Sequence, residues 1–181
     1  MKIRVQISTL TTVAVMFFIP AMGQGIDDKI QIIKKRFTSI NTDNAYSIVT
    51  LDNEEFLEQM TDGGGQLKGY LKGGGFSKIY ENIGLSYCIQ IREYYFWDNK
   101  LIFVFEKEDD FALDSLGTID HTKTKAAFEG RYYFDNGKLI STKTKGEKLM
   151  SDSVAFDSQS KEGQLLSLAQ SRIDLLTDKR K

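Results

Sequence analysis

The chain has 181 residues, a formal net charge of −1 at pH 7 and 41% hydrophobic residues. This length suits one domain with a sizeable core, and the apolar content excludes an intrinsically disordered chain. The balanced charge gives no electrostatic basis for binding nucleic acid or an anionic membrane surface. A single cysteine, Cys88, and a single histidine, His121, exclude an intrachain disulfide and a structural zinc site built from these residue types.

Residues 1–23 predict a signal peptide. Lys2 and Arg4 begin it with positive charge, residues 13–19 (VAVMFFI) are apolar, and a small-x-small triplet ends at Gly23. The apolar run is shorter than the roughly 18 residues that a membrane-spanning helix needs. We therefore expect cleavage after Gly23, no transmembrane segment in the mature chain, and an exported protein that is periplasmic or secreted.

The mature chain begins with a predicted amphipathic helix. Apolar residues recur at spacings of four and three between Ile26 and Ile40, which places them on one helix face for packing against a sheet. Strand signals follow at residues 46–51 and around two GGG clusters, which predict a hairpin because glycine adopts positive φ at little cost. Near the end of the chain, residues 161–179 predict a second helix.

Residues 91–107 (IREYYFWDNKLIFVFEK) hold the densest aromatic content and predict two strands joined at Asp98-Asn99. A shorter copy at residues 131–140 (RYYFDNGKLI) turns at an Asn-Gly pair, the strongest short-range hairpin signal. The two copies lie 38 residues apart. Their matching pattern indicates an antiparallel meander.

Alternation and charge predict which strand residues are buried. The odd-numbered positions of residues 85–97 are mostly apolar, so we expect this strand to be buried on its odd-numbered face. Residues 101–105 are all apolar and predict a strand covered on both faces. Five consecutive charged residues follow at 106–110 (EKEDD), and we expect them to leave the sheet because unpaired charges are costly to bury. Residues 111–125 then predict a largely polar connection, with a few apolar exceptions such as Leu116.

Together these signals predict an α+β fold. It consists of an antiparallel β-meander of about five to seven strands, an N-terminal amphipathic helix packed on one face, and a C-terminal helix. The predicted organisation is a signal peptide at residues 1–23, an α+β domain at residues 24–150, and a linker with the C-terminal helix at residues 151–181.

No short motif predicts catalysis, a cofactor or a metal. Gly64 and Gly69 have the glycine spacing of a phosphate-binding loop, but a Tyr-Leu pair follows where Lys and Ser or Thr are needed. The acidic run and Asp114 do not match the calcium loop of an EF-hand, which favours a solvated turn. Cys88 lies in an alternating strand, which favours a packing thiol over a reactive one.

Aromatic strand residues are the candidate binding residues. They are Tyr94, Tyr95, Trp97, Tyr132 and Tyr133. Consecutive strand residues point to opposite faces of a sheet, so both faces carry some of them. One face must form the core, and the other is either covered by a helix or exposed as a recognition patch.

The order of these segments resembles a known type of protein. A charged helix precedes GGGQLKGY, EYYFWDNKLIFVFEKE and RYYFDNGKLI. Over about residues 26–140 this looks like an uncharacterised family of small exported proteins from Bacteroidota-type bacteria. The YYF-x-NGKLI pattern is also similar to MORN-like repeats. The resemblance implies a fold built on aromatic hairpins, and it implies no activity, cofactor or catalytic residue.

Three functions stay open. The first is a non-catalytic exported module that binds a protein, peptide or glycan of the cell envelope. The second is a hydrolase of envelope polymers, in which two carboxylates face each other across a cleft. Its candidate acids are Asp98, Glu106, Glu108, Asp109, Asp110 and Glu129. The third is a structural accessory subunit of an envelope complex, held through an edge strand or the C-terminal helix.

Overall fold

A computed structural model describes residues 22–57, 60–149 and 160–180 of the protein. The helices are α1 (Met22–Thr42) and α2 (Lys161–Asp178). The strands are β1 (Ser47–Asp52), β2 (Gly65–Lys72), β3 (Gly75–Gly84), β4 (Cys88–Trp97), β5 (Lys100–Leu113), β6 (Ile119–Asp135) and β7 (Lys138–Gly146).

The seven strands form one antiparallel sheet in the order β1-β2-β3-β4-β5-β6-β7. This open meander, with one helix before it and one after it, confirms the predicted fold class. Most of the segment assigned to a signal peptide lies outside the described residues, and α1 begins with its last two residues, Met22 and Gly23. Within the described ranges, no helix is both long enough and apolar enough to cross a membrane.

Three hairpins of one design turn at the same end of the sheet, which we call the hairpin-turn end. Each has a two-residue turn with positive φ at both positions, the type I′ geometry whose twist matches that of the flanking strands. The turn residues are Gly73-Gly74, Asp98-Asn99 and Asn136-Gly137. Each hairpin also has a bulge on its second strand, where the extra residues are Ser77, Ile102 and Ile140. The β2–β3 hairpin is thus a third copy of the repeat that the sequence shows in β4–β5 and β6–β7.

The two helices cover opposite faces of the sheet. Adjacent residues on a strand point to opposite faces, and Tyr94 packs in the core beneath α2 whereas Tyr95 packs in the core beneath α1. The α1 core consists of Ile30, Ile33, Ile40, Tyr95, Ile102, Phe103 and Tyr133. The α2 core includes Leu67, Ile79, Tyr94, Val104, Tyr132, Phe134, Leu165 and Leu176. Residues 101–104 are buried, which confirms that this part of β5 is covered on both faces.

Two predictions for the middle of the chain are wrong. Residues 106–110 stay in β5, where Glu106 and Glu108 are 2% and 1% exposed. Arg92 pairs with Glu106 at 2.8 Å and the Gln90 amide donates to Glu108 at 2.9 Å, so burial leaves neither carboxylate without a partner. Residues 111–125 form the ends of β5 and β6 around a tight turn, not a polar connection.

Candidate functional site

Four of the five candidate aromatic residues belong to the core. Tyr94, Tyr95, Tyr132 and Tyr133 are 0%, 1%, 3% and 5% exposed, respectively. The even-numbered pair lies beneath α2 and the odd-numbered pair beneath α1, because a helix covers each face at this point. Their placement corrects the expectation of an exposed recognition patch built from these side chains.

Trp97 is the candidate that retains access to solvent. It is the last residue of β4, next to the Asp98-Asn99 turn, and it lines two concavities at the hairpin-turn end. The guanidinium of Arg36 from α1 stacks over its ring, 5.0 Å from the ring centre. Of the five residues predicted from the sequence, this one remains a candidate for ligand contact.

A row of charged side chains crosses the sheet beneath α2. Glu81, Arg92 and Glu106 lie on adjacent strands and are direct cross-strand partners. Arg92 donates from Nε to Glu106 Oε1 at 2.8 Å, and its Nη1 lies 3.7 Å from Glu81 Oε2. Arg92 and Tyr94 lie on the even-numbered face of β4, so this face is covered as well. The sequence had predicted a strand buried on its odd-numbered face.

Helix α2 supplies cations to this row. Arg172 donates to Glu81 at 2.7 Å, and Lys161 donates to Glu106 at 3.0 Å. Burial alone would raise the pKa of Glu106, but the charges of Arg92 and two lysines lower that pKa to about 2. The row is thus a network of paired charges that attaches α2 to the sheet.

The acids of this row do not form a catalytic pair across a cleft. The cavity beside Glu81, Arg92 and Glu106 has a volume of about 10 Å³, which is room for about one water molecule and not for a polymer. Glu108 accepts from Gln90 at 2.9 Å and from the backbone N–H of Leu149 at 2.8 Å. Glu106 and Glu108 are therefore buried and already bonded, and they do not face each other across a substrate cleft.

Cys88 lies at the end of the same face and is fully buried. Its Sγ and carboxylate oxygens of Glu108 and Asp110 lie within 4.8 Å of one another. Burial, together with these two carboxylates, raises the pKa of the thiol to about 12. A thiol that stays protonated is a poor nucleophile, which agrees with the expected packing role.

The most prominent exposed feature is a two-stranded projection at the end of the sheet opposite the hairpin turns. Residues 112–125 of β5 and β6, which we call the finger, extend beyond the ladders of both neighbouring strands. The ladder with β4 ends at Asp110, and the ladder with β7 ends at Phe128. The finger therefore stands clear of the rest of the sheet.

The hairpin repeat indicates that the finger is an added segment. Tyr70, Tyr95 and Tyr133 each immediately precede the register shift of their hairpin, so they occupy equivalent positions. The first two lie 25 residues apart and the last two 38 residues apart. The second spacing exceeds the first by 13 residues, which is close to the length of the finger.

Three aliphatic side chains form the tip of the finger. Leu113, Leu116 and Ile119 are 66%, 88% and 36% exposed. Leu113 and Ile119 are direct cross-strand partners, so their side chains lie next to each other on one face. Leu116 lies in the turn between them. A cluster of this kind on a projection marks a contact surface more strongly than a single exposed leucine does.

Asp114 holds the turn at the tip. Its Oδ1 accepts from the backbone N–H groups of Leu116 and Thr118 at 2.8 and 2.9 Å. Its own N–H donates to the carbonyl of Thr118 at 2.8 Å. Gly117 has φ 81°, a conformation that glycine adopts without strain. These hydrogen bonds and the glycine conformation together define the shape of the turn.

Comparison with known proteins gives no match: no protein-family model, curated protein or solved structure is similar to the chain. The finger and the region around Trp97 are therefore the features from which a function can be proposed.

Proposed function

We propose that the protein is a non-catalytic interaction module that contacts a protein partner through the tip of the finger. The observation that carries this proposal is the cluster of Leu113, Leu116 and Ile119 on a projecting segment with a fixed turn. Burying an exposed aliphatic side chain contributes about 1.5–3 kcal/mol. Because the turn is already ordered, little of this free energy is lost to ordering the tip on binding.

The charges around the tip favour a protein partner over a lipid bilayer. Asp114 lies between Leu113 and Leu116 in the chain, and Asp120 follows Ile119 directly. Carrying the Asp114 carboxylate into the hydrocarbon layer beside the leucines would cost about 3 kcal/mol. Asp120 pairs with Lys123 at 2.9 Å, so the finger carries charges of both signs, and a protein pocket with an apolar floor and a polar rim matches the leucines and these charges together. Because residues 1–23 predict export, we place this partner in the periplasm or outside the cell.

A site-specific photo-crosslinking experiment tests the proposal. The photo-reactive amino acid p-benzoylphenylalanine replaces Leu116 in one protein and Ile48 in another, and both proteins are irradiated in native envelope and culture-supernatant fractions. Ile48 is a matched control because it is 57% exposed on β1, at the edge of the sheet. We expect one protein adduct at position 116 and none at position 48. Unlabelled wild-type protein should compete for this adduct, and the Leu116→Ser variant should not.

Two outcomes contradict the proposal. One is equal crosslinking from positions 116 and 48, which would show that the tip has no preferred partner. The other is Leu116-dependent binding to phosphatidylglycerol vesicles without a protein adduct, which would identify a lipid surface as the target. Circular dichroism of Leu116→Ser should match the wild type, because this side chain is outside the core.

A further inference from the structure

Trp97 separates two concavities at the hairpin-turn end, at the opposite end of the sheet from the finger. The larger has a volume of about 430 Å³, and the aromatic residues Tyr46 and Trp97 are part of its lining. The smaller has a volume of about 300 Å³ and lies between α1 and the β4–β5 and β6–β7 turns. Both volumes fall in the range of about 300–1,000 Å³ that is typical of ligand pockets. We call the two concavities together the Trp97 cleft.

Hydrogen-bond donors and acceptors both surround the aromatic rings of the Trp97 cleft. The larger concavity is lined by the Asp98 carboxylate and the Asn99 amide, both on exposed turn residues. Gly75 leaves room for this amide, since a Cβ atom at Gly75 would lie 2.3 Å from Asn99 Oδ1. The smaller concavity adds the guanidinium of Arg36 and the ammonium of Lys100. A ligand with many hydroxyl groups can both donate to and accept from such a lining.

The charges of the cleft are nearly balanced. Lys72 pairs with Asp43 in the larger concavity, and Lys29 pairs with Asp135 at 2.7 Å in the smaller one. Lys100 donates to the Asn136 side chain at 2.9 Å. Most of the cations are therefore already engaged by groups of the cleft itself, which favours an uncharged ligand over an acidic one.

We propose that the Trp97 cleft binds a neutral oligosaccharide. Trp97 provides an aromatic platform on which the C–H face of a sugar ring packs, and Asp98 and Asn99 bind its hydroxyl groups. Arg36 covers the indole on the side of the smaller concavity, so one sugar ring packs on Trp97 in the larger concavity and a second extends toward Arg36 and Lys100. This site is independent of the finger and does not require a protein partner.

Tryptophan fluorescence tests the proposal directly, because Trp97 is the only tryptophan of the chain. The full-length protein is titrated with cellotetraose and chitotetraose as neutral probes and with tetragalacturonate as an acidic probe. We expect a saturable change in emission with a neutral probe and none with the acidic one. Isothermal titration calorimetry provides a second measurement that does not depend on the indole.

The Asn99→Gly variant identifies the site. Asn99 has φ 58°, which glycine adopts readily, so this change removes the amide and keeps the turn. We expect the dissociation constant to rise about tenfold or more, as the loss of a hydrogen bond in a ligand site implies. The Leu116→Ser variant is the control, because it changes the finger alone and should bind the oligosaccharide like the wild type.

Three results would overturn the proposal. The first is no saturable signal by fluorescence or calorimetry with either neutral probe up to about 10 mM. The second is binding that Asn99→Gly leaves unchanged, which would place the ligand elsewhere. The third is binding of tetragalacturonate alone, which would identify an acidic ligand.

Discussion

The two faces of the sheet hold their helices by different physical means. Beneath α1 the buried residues are apolar or aromatic, and Phe37 packs against Tyr95 and Phe103 with ring centroids 4.7 and 5.5 Å apart. Beneath α2 the apolar core surrounds a row of buried charges, and Arg172 donates to Glu81 at 2.7 Å. One sheet therefore binds one helix mainly through apolar packing and the other through apolar packing and ion pairs.

This difference teaches how each helix is positioned. Apolar contacts have little directionality, so α1 is held by the total area that it buries. A buried ion pair has a defined geometry, and displacing one partner leaves the other charge without compensation. The pairs of α2 with Glu81 and Glu106 therefore specify where α2 lies along the sheet.

Removing one cationic side chain of α2 should cause the largest loss of stability. In Arg172→Met the buried carboxylate of Glu81 loses its closest partner, and we expect the free energy of unfolding to fall by about 3–5 kcal/mol. Lys29→Met is the matched control in α1, because the Lys29–Asp135 pair is exposed, and it should cost less than about 1 kcal/mol. Urea denaturation measures both. Equal losses would mean that the two helices are attached in the same way.

Acid should weaken the α2 face through Glu106. The folded pKa of this group is about 2, below its ordinary value of 4.5, so the stabilisation is fully present above about pH 4.5. It is lost as the pH falls from 4.5 toward 2, because the unfolded chain takes up the proton first. Each pKa unit corresponds to about 1.4 kcal/mol, so we expect this group to lose about 2 kcal/mol between pH 7 and pH 3 and about 3 kcal/mol once it is fully protonated.

The pH dependence of Glu106→Gln serves as the control. Unfolding free energies of the wild type and the variant are measured by urea denaturation between pH 7 and pH 3. The variant should be less stable at pH 7 and should lose less stability on acidification. Parallel curves for the two proteins would show that Glu106 does not titrate as its ion pairs require.

Truncation of a side chain in the α1 core should lower the free energy of unfolding by a smaller amount, and this amount should not depend on pH. Ile33 is 4% exposed, and Ile33→Ala should cost about 2–3 kcal/mol through lost burial and the cavity left behind. The neighbouring Ile32 is 48% exposed, so Ile32→Ala should change stability by less than about 0.5 kcal/mol. A loss for Ile33→Ala that varies between pH 7 and pH 4 would contradict an α1 interface held mainly by apolar packing.

The parts of the fold that follow from local physical chemistry were predictable from the sequence. The spacing between Ile26 and Ile40 defines a helix face without reference to any other segment. Asn136-Gly137 defines a tight turn because both residues tolerate positive φ. The aromatic repeat likewise showed two of the three hairpins. Each of these signals lies within about one helix or one hairpin.

The parts that depend on distant partners were not predictable. Glu106 is separated from Arg92 by 14 residues and from Lys161 by 55, so the local run EKEDD gives no sign of its compensation. The burial of Tyr94 and Tyr95 on opposite faces required knowing that both helices pack on the sheet. The sequence does contain a signal for the finger, which is the unequal spacing of Tyr70, Tyr95 and Tyr133. Recognising it requires an alignment of the GGG hairpin with the two aromatic hairpins.

The two ends of the sheet differ in how regular their connections are. At the hairpin-turn end, every turn has two residues and every bulge has the same position, so strand pairs stack with a constant offset. At the opposite end, the connections have different lengths, and the β1–β2 connection reaches the α2 core through Phe56. The described residues of the β3–β4 and β5–β6 connections are in neither core, so these two connections can acquire or lose length without disturbing the support of α1 or α2. The hairpin-turn end is therefore structurally constrained. At the opposite end, new binding specificities can evolve in these connections at little cost to folding.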